Sequence, residues 1–161
     1  MDDSKIEIFL SSKEAYQNEY NKKRLSSSLS DYILEESKFI SPKKKINLII
    51  KTKFELENEE KEELVDMIRN NYGTDVSELI MVSKKLKKLD LIIFIMGVIA
   101  LLVYFLIPTK FVASEVILII GWVLIWESTY NFIFKGAGNQ LKILRRKQII
   151  NGKITFEKDM D

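Results

Sequence analysis

The sequence predicts a membrane protein in which a two-helix transmembrane hairpin is joined to a small cytoplasmic α+β module built from both termini. Two observations carry this prediction. The chain is charge-rich up to Lys88 and then strongly apolar as far as Phe134, and strand-like segments occur both before and after the apolar region. We therefore expect a cytoplasmic α+β region over 1–88, a hairpin over 89–134, and a cytoplasmic basic helix with a short strand over 135–161.

The N-terminal region alternates strand and helix signals. Residues 6–10 alternate apolar and polar side chains, as a short half-buried strand does. Serine-rich capping chemistry precedes an apolar helical face, which predicts a helix over 28–39. Residues 46–56 are rich in β-branched side chains and form the best strand candidate of the chain. These elements make up the first part of the predicted module.

A long helix signal begins at Asn58, where the acidic residues that follow complement the helix dipole. Apolar spacing gives this helix a buried face up to Tyr72 and Gly73. From Asp75 the helical spacing continues into the first apolar span without a breaker, although 79–82 also fits a short strand. A continuous helix here would carry motion of the cytoplasmic module directly into the membrane.

Two apolar runs form the predicted hairpin. Residues 89–107 are nearly uncharged and reach the thickness of the hydrocarbon layer when helical. Residues 111–134 are also long enough to span, but they carry polar side chains near both ends. Because the link 108–110 is very short, the second helix must turn back on the first.

Basic residues on the flanks set the expected orientation. The link between the spans offers only Lys110, whereas lysines and arginines are frequent before the first span and after the second. These flanking residues are Lys84, Lys85, Lys87, Lys88, Lys135, Lys142, Arg145, Arg146 and Lys147. By the positive-inside rule we expect a protein of the cytoplasmic membrane with both termini in the cytoplasm.

Small and polar residues in the second span indicate both packing and a candidate pathway. At about 100° per residue, Ser114, Gly121 and Ser128 form a stripe that should pack against a helix, as should Gly97 in the first span. The candidate pore or gate residues are Glu115, Glu127, Ser128 and Asn131. A carboxylate is costly in hydrocarbon, so each glutamate either lies at the headgroup level or lines an aqueous path shared by several copies.

The C-terminal part returns to the cytoplasmic module. Residues 136–138, Gly-Ala-Gly, are expected to break or loosen the chain before a basic helix over 139–150. Asn151 and Gly152 then turn the chain into a last strand over 153–157, which we expect to pair with 46–54.

Basic clusters are candidate ligand sites if symmetry brings several copies together, because lysine and arginine neutralise phosphates. The candidates are Lys43, Lys44, Lys45, Lys51, Lys53, Arg145, Arg146 and Lys147. Tyr32 or Phe54 would supply a ring for stacking. A solvated surface, membrane topology and attraction to anionic headgroups explain the same clusters without a specific ligand.

Composition excludes several classes of function. The net charge is +2, and the chain has neither cysteine nor histidine, so thiol nucleophiles, imidazole bases and the usual zinc ligand sets are absent. No glycine-rich phosphate loop or nucleophile elbow occurs. We expect a protein without enzymatic activity, cofactor or metal.

A resemblance rests on three segments and the final strand: SSSLSDYILEESK, INLIIKTKFELENEEKEELVDMIRNNYG, GWVLIWESTYNFIF and KITFE. Over residues 25–157 the chain resembles a widespread family of small bacterial two-span membrane proteins. Proteins of this design are similar to the Hailong-type membrane effectors of anti-phage defence, which are encoded beside nucleotidyltransferases. The resemblance implies an oligomeric channel that short DNA oligomers hold shut and that arrests growth when it opens.

The leading hypothesis is a homo-oligomeric membrane effector, an ion channel gated from the cytoplasm by a nucleotide or short nucleic acid in anti-phage defence. The expected partners are the membrane, further copies of the chain, that ligand and a neighbouring nucleotidyltransferase. The alternative is a non-conducting anchor or adaptor for a small cytoplasmic binding module. A scaffold for a membrane enzyme also fits the sequence.

Overall fold

The computed structural model describes residues 4–107 and 112–158. Its elements in chain order are β1 (Lys5–Leu10), a single 3-10 turn (Lys13–Ala15), α1 (Ser27–Ser37), β2 (Asn47–Thr52), α2 (Asn58–Leu106), α3 (Val112–Tyr130), a π-helical segment (Asn131–Lys135), α4 (Gly136–Ile150) and β3 (Lys153–Lys158). The predicted link 108–110 lies outside the described residues.

Two compact units divide the chain. The first, here the α/β unit, contains Met1–Glu78 together with Leu141–Asp161, and the second, the hairpin unit, contains Leu79–Gln140. The prediction that both ends of the chain build one module is therefore confirmed. Helices α2 and α4 each contribute residues to both units.

The sheet of the α/β unit is entirely parallel, with strand order β1-β2-β3. Pairing of β3 with β2 confirms the predicted return of the last strand, and Ile154 lies opposite Leu48. Parallel strands that alternate with helices make this an α/β arrangement, which differs from the predicted α+β module.

In the described part of the chain, the helices pack on one face of this sheet. Right-handed crossovers that move β1 to β2 and then β2 to β3 advance in one direction, so both connections place their helices on the same side. Side chains of that face form one core with α1, α2 and α4. Its fully buried members include Ile8, Ile50, Ile33, Leu64, Ile68, Tyr72 and Ile149.

Local capping explains the start of α1. Ser26 is in an extended conformation, and its hydroxyl accepts a hydrogen bond from the backbone N–H of Leu29, which is the usual N-cap arrangement. The predicted helix over 28–39 is thus confirmed with slightly earlier ends, at Ser27 and Ser37. The predicted strand over 46–56 is shorter than expected, because β2 ends at Thr52.

The predicted continuous helix is confirmed, because residues 79–82 are helical within one helix that runs from Asn58 to Leu106. The alternative of a short strand over 79–82 is wrong, and so is one expectation for the segment after the second span. The Gly-Ala-Gly segment does not break the chain, since Gly136 has helical angles (φ −60°, ψ −45°) and begins α4. Without a Cβ, glycine loses more conformational entropy in a helix, but it is not sterically excluded from one.

Close approach of two glycines holds the hairpin unit together. A Cβ added to Gly97 would lie 3.0 Å from the carbonyl oxygen of Gly121, and one added to Gly121 would lie 3.1 Å from the carbonyl oxygen of Gly97. Ser114 and Ser128, which share the stripe of Gly121, are 1% and 3% exposed. The predicted packing of this stripe is confirmed.

The apolar surfaces of both long helices are mostly uncovered. The described part of the chain contains two helical stretches long and apolar enough to cross a membrane, Asn58–Leu106 and Ser114–Ile150. Only 6% and 11% of their most apolar windows are buried. A core helix of a soluble domain buries its apolar residues, so these surfaces are compatible with a lipid environment.

Candidate functional site

The four pore or gate candidates divide into an inward and an outward pair. Ser128 is buried within the hairpin unit and donates a 3.0 Å hydrogen bond to the carbonyl of Ile125. Asn131 also lies partly within the unit. Glu115 and Glu127 are exposed on the outer surface of α3. The structure therefore does not bring the four residues into a single group.

Asn131 has a partner that sequence reasoning missed. Its Nδ2 donates a 3.3 Å hydrogen bond to Oδ1 of Asp90, which lies on α2 just before the uncharged part of that helix. Asn131 is also the first residue of the π-helical segment. Such segments are rare and often occur at functional sites. The polar end of the hairpin unit is thus a defined interhelical contact.

The side-chain oxygen of Asn131 does not take part in this contact. Oδ1 of Asn131 is buried and has no hydrogen-bond partner among the described residues. Buried side-chain polar atoms normally have a partner, because an unsatisfied one costs the desolvation free energy. The amide therefore offers an unused acceptor next to the Asp90 carboxylate.

Arg145 and Gln148 are structural residues of the α/β unit. Arg145 donates through Nη1 to the carbonyls of Ser37 and Ile40. Gln148 donates through Nε2 to the carbonyls of Ser41 and Lys44, at 2.8 and 2.7 Å. Together they anchor the connection between α1 and β2, whose carbonyl groups lie outside the hydrogen-bonding pattern of the sheet. The predicted ligand role of Arg145 competes with this structural one.

Arg146 is similarly engaged. Its Nε donates a 2.9 Å hydrogen bond to Oδ2 of Asp75, and its side chain is only 16% exposed. Both residues belong to the α/β unit, where the ion pair ties α4 to α2. Lys147, the last member of the predicted cluster, is exposed.

The lysine candidates form two groups rather than one. Residues 43–45 lie before β2 and are exposed, whereas Lys51 and Lys53 lie at its other end. Six strand residues span roughly 20 Å, which separates the groups by about the length of the strand. Lys51 forms an ion pair with Glu7 at 2.7 Å, and its Nζ lies 5.1 Å from the centroid of the Phe9 ring.

The second face of the sheet forms a surface that we call the open face. Its positions follow from the register and from the alternation of exposed and buried residues in β1. In three rows across the sheet they are Lys5, Asn47 and Lys153; Glu7, Ile49 and Thr155; and Phe9, Lys51 and Glu157. Phe9 is 63% exposed, whereas Ile49, in the middle of this face, is only 9% exposed and does not belong to the core on the other face.

The open face adds three residues to those the sequence suggested. Lys5 and Lys153 lie at the end of the sheet where residues 43–45 enter β2, so the amino end of the sheet is basic. No carboxylate of the described segments pairs with either lysine. Phe9 supplies an exposed ring. The alternation in residues 5–10 indicates that Lys5 and Phe9 share one face of a strand. Only the parallel pairing shows that this face adjoins β2 and β3.

Burial perturbs one tyrosine of the α/β unit strongly. Tyr72 is fully buried, and its hydroxyl donates a 2.6 Å hydrogen bond to the carbonyl of Ser30. Burial raises the pKa of Tyr72 to about 12, because the phenolate would lose its hydration. Elsewhere on α2, the ion pair with Lys13 lowers the pKa of Glu60.

Comparisons with family models, with curated proteins and with solved structures gave no match. The described residues contain no group of three or more acidic side chains placed to hold a metal ion. The arrangement of the chain's own residues is therefore the basis for assigning a function.

Proposed function

We propose that the chain is a homo-oligomeric membrane effector in which the hairpin units of several copies form a cation pathway. A short nucleic acid or nucleotide bound by the α/β unit controls this pathway. The basic residues that flank the spans support an orientation with both termini in the cytoplasm. The observation that carries the proposal is the position of two carboxylates on α3.

Glu115 and Glu127 are both exposed on an otherwise apolar helix, and they are separated by only twelve residues. At about 1.5 Å per residue this corresponds to roughly 18 Å. The hydrocarbon layer is about 30 Å thick, so the two carboxylates do not reach opposite headgroup regions of an undistorted bilayer. At least one of them requires water or a polar partner within the membrane.

Further copies of the chain supply that environment in the proposed assembly. A single hairpin encloses no path, and its inner surface is closed by the contact between Gly97 and Gly121. Hairpins arranged around a symmetry axis would turn the outward carboxylates toward a shared interior. Rings of glutamate side chains favour cations, which sets the expected selectivity.

The open face and the basic amino end of the sheet supply the proposed ligand site. Phe9 offers a ring on which a base can stack, and Lys5 and Lys153 offer cations for phosphates. The resemblance to Hailong-type effectors supports short DNA oligomers as the ligand, a neighbouring nucleotidyltransferase as their source and defence against phage as the role. Because α2 is one helix from Asn58 to Leu106, the ligand signal has a direct covalent route to the first span.

Planar bilayer recordings of the purified chain test this proposal. We expect cation-selective conductance that changes when short single-stranded DNA is added on the side of the termini. Glu127→Gln and Glu115→Gln should reduce conductance or cation selectivity. Glu59→Gln, which alters an exposed carboxylate in the first turn of α2, is the matched control and should leave both unchanged.

A monomer in detergent, with no conductance at any DNA concentration, would overturn the proposal. That outcome would instead support the non-conducting anchor or adaptor. Conductance that is identical in wild type, Glu115→Gln and Glu127→Gln would remove the carboxylates from the pathway and with them the main support for a pore.

A further inference from the structure

A cavity of about 180 Å³ with both polar and apolar lining residues lies at the Asp90–Asn131 contact of the hairpin unit. Its walls come from α2, from the π-helical segment and from the start of α4. The polar groups that line it are Ser83, Lys87, Asp90, Asn131, Lys135 and Asn139. A cavity of this size holds a headgroup-sized polar ligand.

The cavity presents two kinds of polar group. Lys87 and Lys135 are cations with no acidic partner among the described residues. Asp90 and the Oδ1 atom of Asn131 are acceptors, and the latter is buried without a donor. A ligand that satisfies both sets carries an anionic group for the lysines and a hydrogen-bond donor for the acceptors.

An apolar groove of about 590 Å³ adjoins the cavity, and Lys87, Asp90 and Phe132 line both. The rest of the groove is mainly apolar and includes Leu91, Phe94 and Ile133. A soluble anion would leave this apolar surface uncovered. A hydrocarbon chain covers it.

We propose that this cavity and groove bind one phospholipid. Its phosphate lies between Lys87 and Lys135, a headgroup ammonium or hydroxyl donates to Asp90 and Asn131, and an acyl chain lies along Leu91, Phe94 and Ile133. Phosphatidylethanolamine and phosphatidylglycerol both have the required phosphate and donor, whereas phosphatidylcholine has the phosphate alone. This site goes beyond the proposed channel, because it serves a conducting assembly and a simple anchor equally.

Native mass spectrometry of the full chain in detergent tests the site. Phosphatidylethanolamine, phosphatidylglycerol, phosphatidylcholine and inorganic phosphate are added separately. We expect one lipid per chain. Either donor-bearing lipid should be retained at least tenfold more strongly than phosphatidylcholine, which is a difference of about 1.4 kcal/mol. Inorganic phosphate alone should not bind at comparable concentration. Its binding as strongly as lipid would overturn the proposal in favour of a free-anion site.

Variants separate this site from general attraction to basic residues. Lys87→Ala with Lys135→Ala should lower lipid retention about tenfold, and the corresponding pair of arginine substitutions should restore it. Lys84→Ala with Lys142→Ala removes two exposed lysines that do not line the cavity, and it should have no effect. Equal losses in the two alanine pairs, or equal retention of all three lipids by the wild type, would overturn the proposal.

Asp90→Leu removes one of the two acceptors and tests that part of the site independently. Loss of the carboxylate should bring retention of phosphatidylethanolamine down to that of phosphatidylcholine while leaving the latter unchanged. Helix content measured by circular dichroism establishes that each variant is folded. Unchanged preference for donor-bearing headgroups in folded Asp90→Leu would contradict the assignment.

Discussion

Asp90 of α2 and Asn131 of the π-helical segment form a side-chain hydrogen bond, with 3.3 Å between Oδ1 of the aspartate and Nδ2 of the asparagine. The two residues are far apart in the sequence, and the bond joins the helices at the polar end of the hairpin unit. Asn131→Leu removes its donor and leaves Asp90 without this partner. Interhelical hydrogen bonds in membranes contribute about 0.6 kcal/mol on average and at most about 1.7 kcal/mol.

We therefore expect Asn131→Leu to lower the free energy of unfolding in mixed micelles by about 1 kcal/mol. Denaturation with SDS, followed by tryptophan fluorescence, measures this change. Thr129→Val is the control, because Thr129 is exposed on the same helical stretch. A loss of the same size in the control would attribute the effect to polarity of the helix rather than to the bond.

The glycine contact gives a second prediction. A Cβ on Gly97 would lie 2.8 Å from Cγ1 of Ile125 and 3.0 Å from the carbonyl oxygen of Gly121, and part of that environment is backbone that cannot move away. We expect Gly97→Ala to destabilise the hairpin unit by about 1–3 kcal/mol through overpacking. SDS titration measures the loss.

Gly138 provides the matched control for that substitution. Nothing lies within 4 Å of a Cβ added there, and the residue is helical. Gly138→Ala should therefore stabilise by up to about 1 kcal/mol, since alanine has the higher helix propensity. Stabilisation by both substitutions would contradict the close approach of the two spans.

Tyr72 predicts a pH dependence in the alkaline range. Its pKa is raised from 10.0 to about 12 in the folded chain, so the neutral phenol is favoured by folding. Its contribution to stability is complete below pH 10 and is lost as the pH rises through about 12. Tyrosinate absorbance at 295 nm measures the titration directly.

Tyr72→Phe identifies the group. The difference in absorbance at 295 nm between the wild type and Tyr72→Phe should titrate near pH 12. The variant also lacks the hydrogen bond to Ser30, so its free energy of unfolding at neutral pH should be lower by about 1 kcal/mol. Titration of the difference signal near pH 10 would mean that Tyr72 is solvated.

Arg145 gives a prediction about local stability. The side chain donates to the carbonyls of Ser37 and Ile40, and hydrogen bonds from a charged group contribute about 1.5–3 kcal/mol. Arg145→Ala should therefore increase hydrogen exchange over residues 37–46 severalfold or more. Lys147→Ala, at an exposed position of the same helix, should leave that exchange unchanged. Similar exchange in the two variants would assign Arg145 to the surface.

The sequence predicted those features that depend on helical or strand periodicity. The stripe of Ser114, Gly121 and Ser128 has helical spacing, and these side chains are buried as expected. The C-terminal strand was recognisable from its β-branched and aromatic residues. Continuity of α2 also followed from its helical spacing, since no proline interrupts the chain between Asp75 and Leu106.

Features that depend on contacts between distant segments were not predictable in the same way. Asp90 carries a single charge beside an apolar run, and nothing local indicates that Asn131 will be its partner. Arg145 has the composition of a phosphate ligand, but its donors are used by carbonyls of the α1–β2 connection. Lys5 and Lys153 are separated by nearly the whole chain, and only the parallel register brings both to one end of the sheet.

Phe9 provides the final prediction, which concerns the open face. All-parallel sheets are normally covered on both faces, whereas this one leaves a 63% exposed ring beside Lys51. Three strands of six residues offer roughly 300 Å², well below the 800 Å² per partner of a standard protein interface. A small stacked ligand therefore suits this face better than a second copy of the chain.

Because stacking of one base contributes about 1–3 kcal/mol, Phe9→Ala should weaken binding of a short fluorescent single-stranded DNA about tenfold or more in anisotropy titrations. Phe39→Ala, which removes an 84% exposed ring outside the sheet, should have no effect. Equal affinities of wild type and Phe9→Ala for this DNA would exclude the open face as the stacking site. They would not bear on the proposed pathway through the hairpin units, which the bilayer recordings test separately.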